Sequence, residues 1–240
     1  MSVFAISDLH LSGGNTINKS MDIFGSRWCD HTSKIIKTWR SVVTDSDTVV
    51  IPGDISWAMT LDDAIADLSI IDSLPGLKII GKGNHDFWWT TITKMNKALE
   101  SSGIKTIRFL HGNAFDAGGI VICGARGWFF SSNDQPEIFD TDCEKIVLRE
   151  ASRLRSSIAS GLRISGGDPT PLRVFLHFPA VLFGEVCEPI LSVLKETGIR
   201  RVYYGHIHGN TAIPRSFELQ GITFSIISAD YLNFTPVIVT

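Results

Sequence analysis

No apolar run in this 240-residue chain approaches the roughly 20 residues needed to cross a bilayer, which speaks against membrane insertion. Cysteine is scarce: Cys29, Cys123, Cys143 and Cys187 are scattered and form no CxxC pair. Met1 leads directly into an apolar stretch without the basic segment and long apolar core of a secretory signal. Reduced thiols in a cytoplasmic protein are therefore expected. Positive charge is not in excess either, with 22 basic against 25 acidic residues and a net charge of -3. Such a balance gives no general attraction for a nucleic-acid backbone and makes nucleic acid an improbable partner. There is no repeat of fixed period and no low-complexity tract, so neither a solenoid nor a disordered linker is expected.

What is present is ordinary globular material, 44% hydrophobic and 20% charged, enough for one large α/β domain spanning 1–240. Short apolar, β-branched runs predict strands over 3–6, 48–51, 77–80, 106–110, 119–123, 172–176, 201–204, 222–227 and 237–239. Apolar residues at helical spacing predict helices over 30–43, 60–71, 90–99, from 141 to just before Gly161, and over 186–196. Asp30, Thr60 and Thr141 stand at N-cap positions, the last two followed three residues later by Asp63 and Glu144. Strands alternating with helices imply a largely parallel sheet covered by helices.

A single grammar recurs along the chain: an apolar run stops at a side chain able to bind metal. It appears at Asp8-Leu9-His10, Gly53-Asp54, Gly83-Asn84-His85-Asp86, His177 and Gly205-His206-Ile207-His208. Each piece alone reads as a turn or a buried histidine. Together they hold five of the seven histidines, and parallel strands align their C-terminal ends along one sheet edge, where α/β folds build their sites. His31 and His111 follow no such motif and read as surface or helix-end residues.

In these motifs the chain resembles the calcineurin-like metallophosphoesterase superfamily, whose pattern is DxH, GD, GNHD or GNHE, a histidine, and GHxH in that order. The resemblance implies a four-layer α/β/β/α sandwich with mixed sheets and a dinuclear site at the C-terminal strand ends. It assigns Asp8, His10, Asp54 and His208 to one metal and Asp54, Asn84, His177 and His206 to the other, with Asp54 bridging. Nitrogen and oxygen donors suit manganese, iron or zinc. The implied reaction is hydrolysis of a phosphate mono- or diester by a metal-bridging hydroxide, which such a site makes available at neutral pH. His85 is not needed as a ligand, so it is free to donate a proton to the leaving oxygen, with Asp86 orienting it; a purely structural hydrogen bond is the alternative. A catalytically silent phospho-ligand or protein-binding domain of this fold and a nuclease remain the competing readings.

Substrate contacts are less marked. Arg126, in a Gly-rich turn after a strand, has the planar fork to clamp a phosphoryl oxygen of a small phosphorylated substrate, and Lys82, Lys19 and Arg27 are weaker candidates. Trp57, Trp88 and Trp89 either pack the core or stack on an aromatic leaving group, and Trp128-Phe129-Phe130 is either core or pocket wall. The loop-like segments 12–30 and 128–140 flank motif strands and are expected to form cap-like insertions over the site.

Overall fold

The computed structural model describes residues 1–13, 21–128, 141–182, 184–209 and 213–240. Lys19, with the rest of 14–20, the Thr141 side chain of the expected capping box, and 129–140 of the second cap-like segment lie outside the described residues.

Two sheets form the centre of the molecule. In the first, β1 (Val3–Ala5), β2 (Thr48–Ile51), β3 (Leu77–Ile80) and β4 (Ile107–Phe109) run parallel, with β13 (Val237–Ile238) antiparallel beside β1. The second has the order β11-β12-β10-β7-β6-β5. Its parallel centre is β6 (Val121–Ala125), β7 (Leu172–Leu176), β10 (Arg201–Tyr204) and β12 (Ile222–Ile226), and its antiparallel edges are β5 (Ala114–Asp116) and β11 (Ser216–Leu219). A small hairpin, β8 (Val181–Leu182) and β9 (Glu185–Val186), stands apart. The edge strands β5 and β11 and the hairpin have few residues and weak apolar patterns, and the sequence signal misses them.

The apolar pattern of each element decides its layer. Residues from α1 (His31–Val42), α2 (Leu61–Asp72) and α3 (Ile92–Ser101) share one core with the first sheet; Ile122, Phe175 and Tyr203, pointing inward from the second sheet, belong to that core too. Their strand neighbours Cys123, Val174, Val202 and Tyr204 point the other way, into a second core under α4 (Thr141–Ile164) and α5 (Glu188–Glu196). Period-two alternation in the second sheet thus produces four layers, helices on the outside and two mixed sheets within. Burying a large aliphatic side chain in either core stabilises the fold by about 1.5–3 kcal/mol before entropy is counted.

Three local expectations resolve. Thr60 caps α2, its hydroxyl accepting from the Asp63 amide at 3.2 Å. Asp30, by contrast, precedes α1 with φ of 51° and makes no side-chain cap bond. Gly161 does not end α4, which runs on to Ile164; a Cβ there would collide with the sulfur of Cys123 on β6, so this glycine sets the closeness of helix and sheet.

Register sets up the site. Ala5 lies opposite Val50, and Ile51 opposite Ile80, so Asp8, Asp54 and Asn84 leave the first sheet along one edge. In the second sheet Ala125, Leu176, Tyr204 and Ile226 are level, so Arg126, His177 and Gly205 emerge together. A parallel bridge between Ser7 and Ser228 ties the two edges to each other.

Candidate metal centre

The strand ends converge through backbone that is itself unusual. Asp8, His10, Asp54 and His206 all have positive φ, between 46° and 70°, a region that costs a non-glycine residue on the order of 1 kcal/mol or more. The turns are so tight that glycine is required beside them: a Cβ on Gly83 would strike the Asp54 carboxylate, and one on Gly205 would strike Ser7 and the Asp8 carboxylate. Strain and close approach place donor atoms on one spot.

Two groups of donors result. In the first, His10 Nε2 and His208 Nε2 face each other at 3.3 Å, with Asp8 Oδ1 3.5 Å from His208 Nε2. In the second, Asn84 Oδ1 is 2.6 Å from His177 Nε2 and 3.0 Å from His206 Nδ1. Asp54 Oδ2 stands between them, 3.7 Å from His10 Nε2 and 3.6 Å from His177 Nε2. Asp8 reaches both sides, its Oδ1 also lying 3.8 Å from His177 Nδ1. Ligand atoms of Asp8, His10 and His208, and of Asp8, Asp54 and His177, lie within 4.8 Å of one another. All seven residues with metal-ligand side chains in the sequence motifs are thus brought together, Asp8, His10, Asp54 and His177 nearly or wholly buried.

The electrostatics fit a site for cations. Burial, with repulsion from Asp8 and Asp86, pushes Asp54 up to about 9. Asp8 is held well below the usual carboxylate range: burial opposes its ionisation, but hydrogen bonding and attraction from His208, with His177 and His10, outweigh it. Burial lowers His10 to about 3 and drives His177 far down, so both rings are neutral and offer lone pairs. The side-chain oxygens of Asp8 and Asp54 with the neutral rings of His10 and His177 form a buried nitrogen-oxygen donor set for borderline divalent ions, whose binding would displace the Asp54 proton. The buried Nδ1 atoms of His10 and His177 have no hydrogen-bond partner in the described structure, a further sign of side chains ordered for something other than mutual hydrogen bonding.

His85 sits at the rim with its side chain 37% exposed; its amide donates to Asp54 Oδ1 at 2.8 Å, and its Nε2 is 4.0 Å from Asp54 Oδ2. Its ring packs 4.4 Å from that of Trp57, which in turn stacks on His10 at 4.8 Å. Trp57, Trp88 and Trp89 all belong to the first core. Asp86 departs from expectation. Its Oδ1 accepts from the amides of Ile55 and Ser56 and the Trp88 indole, its Oδ2 from the amides of Asp54 and Gly83, all at 2.7–3.3 Å, and none of these five donors is the His85 ring. Asp86 locks the Gly53-Asp54 loop to the Gly83-Asn84 loop. A carboxylate three residues after a glycine is sequence shorthand for this bracket as much as for a catalytic pair.

Three contributors escaped the sequence reading. Asp230, 1% exposed, accepts from Gly209 N at 2.9 Å and pairs with His208 Nδ1 at 2.9 Å, turning Nε2 toward Asp8 and His10. Burial disfavours a charged His208, yet Asp230 and Asp8 more than offset it and raise it to about 10. Its signal was available, since Asp230 also follows an apolar run, β12. His31, expected at the surface or a helix end, opens α1 but is buried, with Nε2 3.2 Å from the His10 carbonyl. Trp28, from the described part of the 12–30 segment, packs its ring 5.9 Å from His10 and 5.4 Å from His208. Arg27 Nη1 donates to the Asp230 carbonyl at 3.3 Å.

The family model for calcineurin-like phosphoesterase matches residues 1–210, which contain every motif described above. No curated protein matches the chain in sequence. Among solved structures, a protein of unknown function, AQ665 from Aquifex aeolicus, is similar at 16% identity with a TM-score of 0.51, over 99% of this chain and 95% of that one. TT1561 of Thermus thermophilus is similar at 12% identity with a TM-score of 0.53, over 95% of this chain and 89% of that one. At such identities these likenesses concern the fold, whereas the family match covers both fold and motifs. The chain belongs to the calcineurin-like phosphoesterase family.

Proposed function

We propose that the protein is a dinuclear metal-dependent phosphohydrolase acting on a mono- or diester of a small phosphorylated compound. The observation that carries this reading is Asp54 Oδ2, within 3.7 Å of a nitrogen from each donor group and so in the position of a bridging ligand. Asp8, His10 and His208 would hold one ion and Asn84, His177 and His206 the other, with Asp54 shared. Bound there, a pair of manganese, iron or zinc ions supplies Lewis acidity toward a phosphoryl oxygen and a nucleophilic water at neutral pH.

The chain's own groups do the rest. Asp230 accepts a hydrogen bond from His208 Nδ1–H, which turns Nε2 toward the donor group; a bound ion there would take the place of the Nε2 proton. Asp86 holds the Asp54 and Asn84 loops at fixed spacing through its five hydrogen bonds, making it a positioning residue. His85, half-exposed at the rim and with its amide anchored on Asp54, is the group placed to give a proton to the departing oxygen. Trp57 supports both His85 and His10 from beneath. No described helix is long and apolar enough to cross a membrane, and the acidic balance favours a small substrate over nucleic acid in a cytoplasmic setting.

The test is metal analysis followed by a turnover screen of the loaded protein on 4-nitrophenyl phosphate and bis(4-nitrophenyl) phosphate. Metal-dependent hydrolysis of either supports the reading, and preference between them separates monoesterase from diesterase. Full metal loading with no hydrolysis of these or a broader phosphoester panel would replace it with a silent binding domain.

A further inference from the structure

Beside the donor cluster lies a group of cations that metal binding does not employ. Arg126 follows β6 directly, and its carbonyl accepts from the amides of His177 at 3.1 Å and Phe178 at 2.9 Å, which pins it one strand from a candidate ligand. Trp128 lies against its guanidinium, 4.7 Å from Cζ to ring centroid; Trp128 meets Phe178 at 5.1 Å, and Phe178 meets the His206 ring at 4.3 Å. Lys82 arrives from the other sheet, two residues before Asn84. From α4, the wholly buried Glu150 sends one oxygen, Oε1, to Arg153 Nη1 at 2.6 Å and to Arg126 Nη2 at 3.5 Å.

The charges do not balance. One carboxylate serves two guanidinium groups, and among the described residues Lys82 has no ion pair within about 4 Å, the reach of a direct pair. Arg126, with its side chain 16% exposed, has a buried Nε without a partner among the described residues and a long contact to Glu150 as its ion pair. A largely desolvated cation satisfied so thinly favours a nearby anion. Asn84, two residues after Lys82, meets His177 Nε2 through its Oδ1 at 2.6 Å, and the His177 amide donates to the Arg126 carbonyl at 3.1 Å, so the segments carrying Lys82 and Arg126 come together at His177.

We infer that Lys82 and Arg126, with Arg153 behind them, form an anion subsite at the edge of the metal centre that receives a second anionic group of the substrate. This rests on the phosphoesterase reading and narrows it to substrates carrying another negative charge beyond the ester being cut. Arg126, held flat against Trp128 and braced by Glu150, presents a preorganised fork, while Lys82 acts as a mobile point charge from the Asn84 loop. The subsite joins both sheets, so a substrate engaging it would span the same cleft as the metal pair.

The experiment is calorimetric titration of the manganese-loaded protein with ω-carboxyalkylphosphonates of about two to six methylene groups, each beside its ω-methyl ester. At one or more spacer lengths the acid is expected to bind about tenfold or more tightly than its ester. That ratio should collapse in Lys82→Gln or in the paired Arg126→Met/Glu150→Leu variant, the second change sparing the fold a buried unpaired carboxylate. No discrimination at any spacer, or full discrimination in both variants, overturns the subsite. Turnover of 4-nitrophenyl phosphate by the same loaded wild-type protein tells the two failures apart: turnover without discrimination removes the subsite alone, and no turnover removes the phosphoesterase reading with it.

Discussion

Replacing Asp86 by asparagine separates two roles that the Gly83-Asn84-His85-Asp86 stretch leaves open. In the structure its carboxylate receives five donors, three on Oδ1 and two on Oδ2. An asparagine keeps one oxygen and sets an NH2 where the other stood, so at least the two bonds from Asp54 N and Gly83 N are lost, or the three on the other side. Hydrogen bonds to a charged group contribute roughly 1.5–3 kcal/mol each, so Asp86→Asn should lower unfolding stability by about 3–6 kcal/mol. Urea unfolding of the two proteins reads that loss directly, and because the loops carrying Asp54 and Asn84 loosen together, metal affinity should fall with it. If stability stays within about 0.5 kcal/mol of wild type while turnover drops sharply, the bracket account fails and Asp86 works through the His85 ring instead.

Two further perturbations bear on other parts of the account. Asp230→Asn should weaken metal binding by about 10–100-fold, as loss of a carboxylate behind a ligating histidine commonly does, measured by competition with a chromogenic chelator; unchanged affinity would mean His208 is oriented by other contacts. Lys78, buried with its ammonium donating to the Leu74 carbonyl at 2.6 Å and the Asp72 carbonyl at 3.2 Å, has its pKa lowered by burial to about 8 despite attraction from Asp72. Because the unfolded chain then binds more protons between about pH 8 and the ordinary lysine value of about 10.4, wild type should gain stability relative to Lys78→Met as pH rises through that window, and a flat difference would contradict it.

How far the sequence carried this picture depended on the kind of signal. The parallel core strands were legible because burial on both faces leaves continuous β-branched runs, and the candidate ligands stood out because they follow such runs. Gly161 misled because a residue type common at helix ends was read as an end, whereas it answers to the sulfur of Cys123 across the interface, a requirement that is not local. Asp30 does stand directly before α1, but in a left-handed turn that leaves its side chain without a cap bond. Glu150 carries no such signal in the local sequence, lying in an arginine-rich helix, yet it is fully buried between Arg126 and Arg153. Asp230 and His31 support their histidines from 22 and 21 residues away, a distance over which one sequence offers no pairing rule.

The central claim is that Asp54 joins two metal sites. Anomalous diffraction from crystals grown with manganese tests it most directly. The account predicts two peaks, one among Asp8, His10 and His208 and one among Asn84, His177 and His206, with the Asp54 carboxylate contacting both. A single peak, or two peaks of which Asp54 touches one alone, would contradict it.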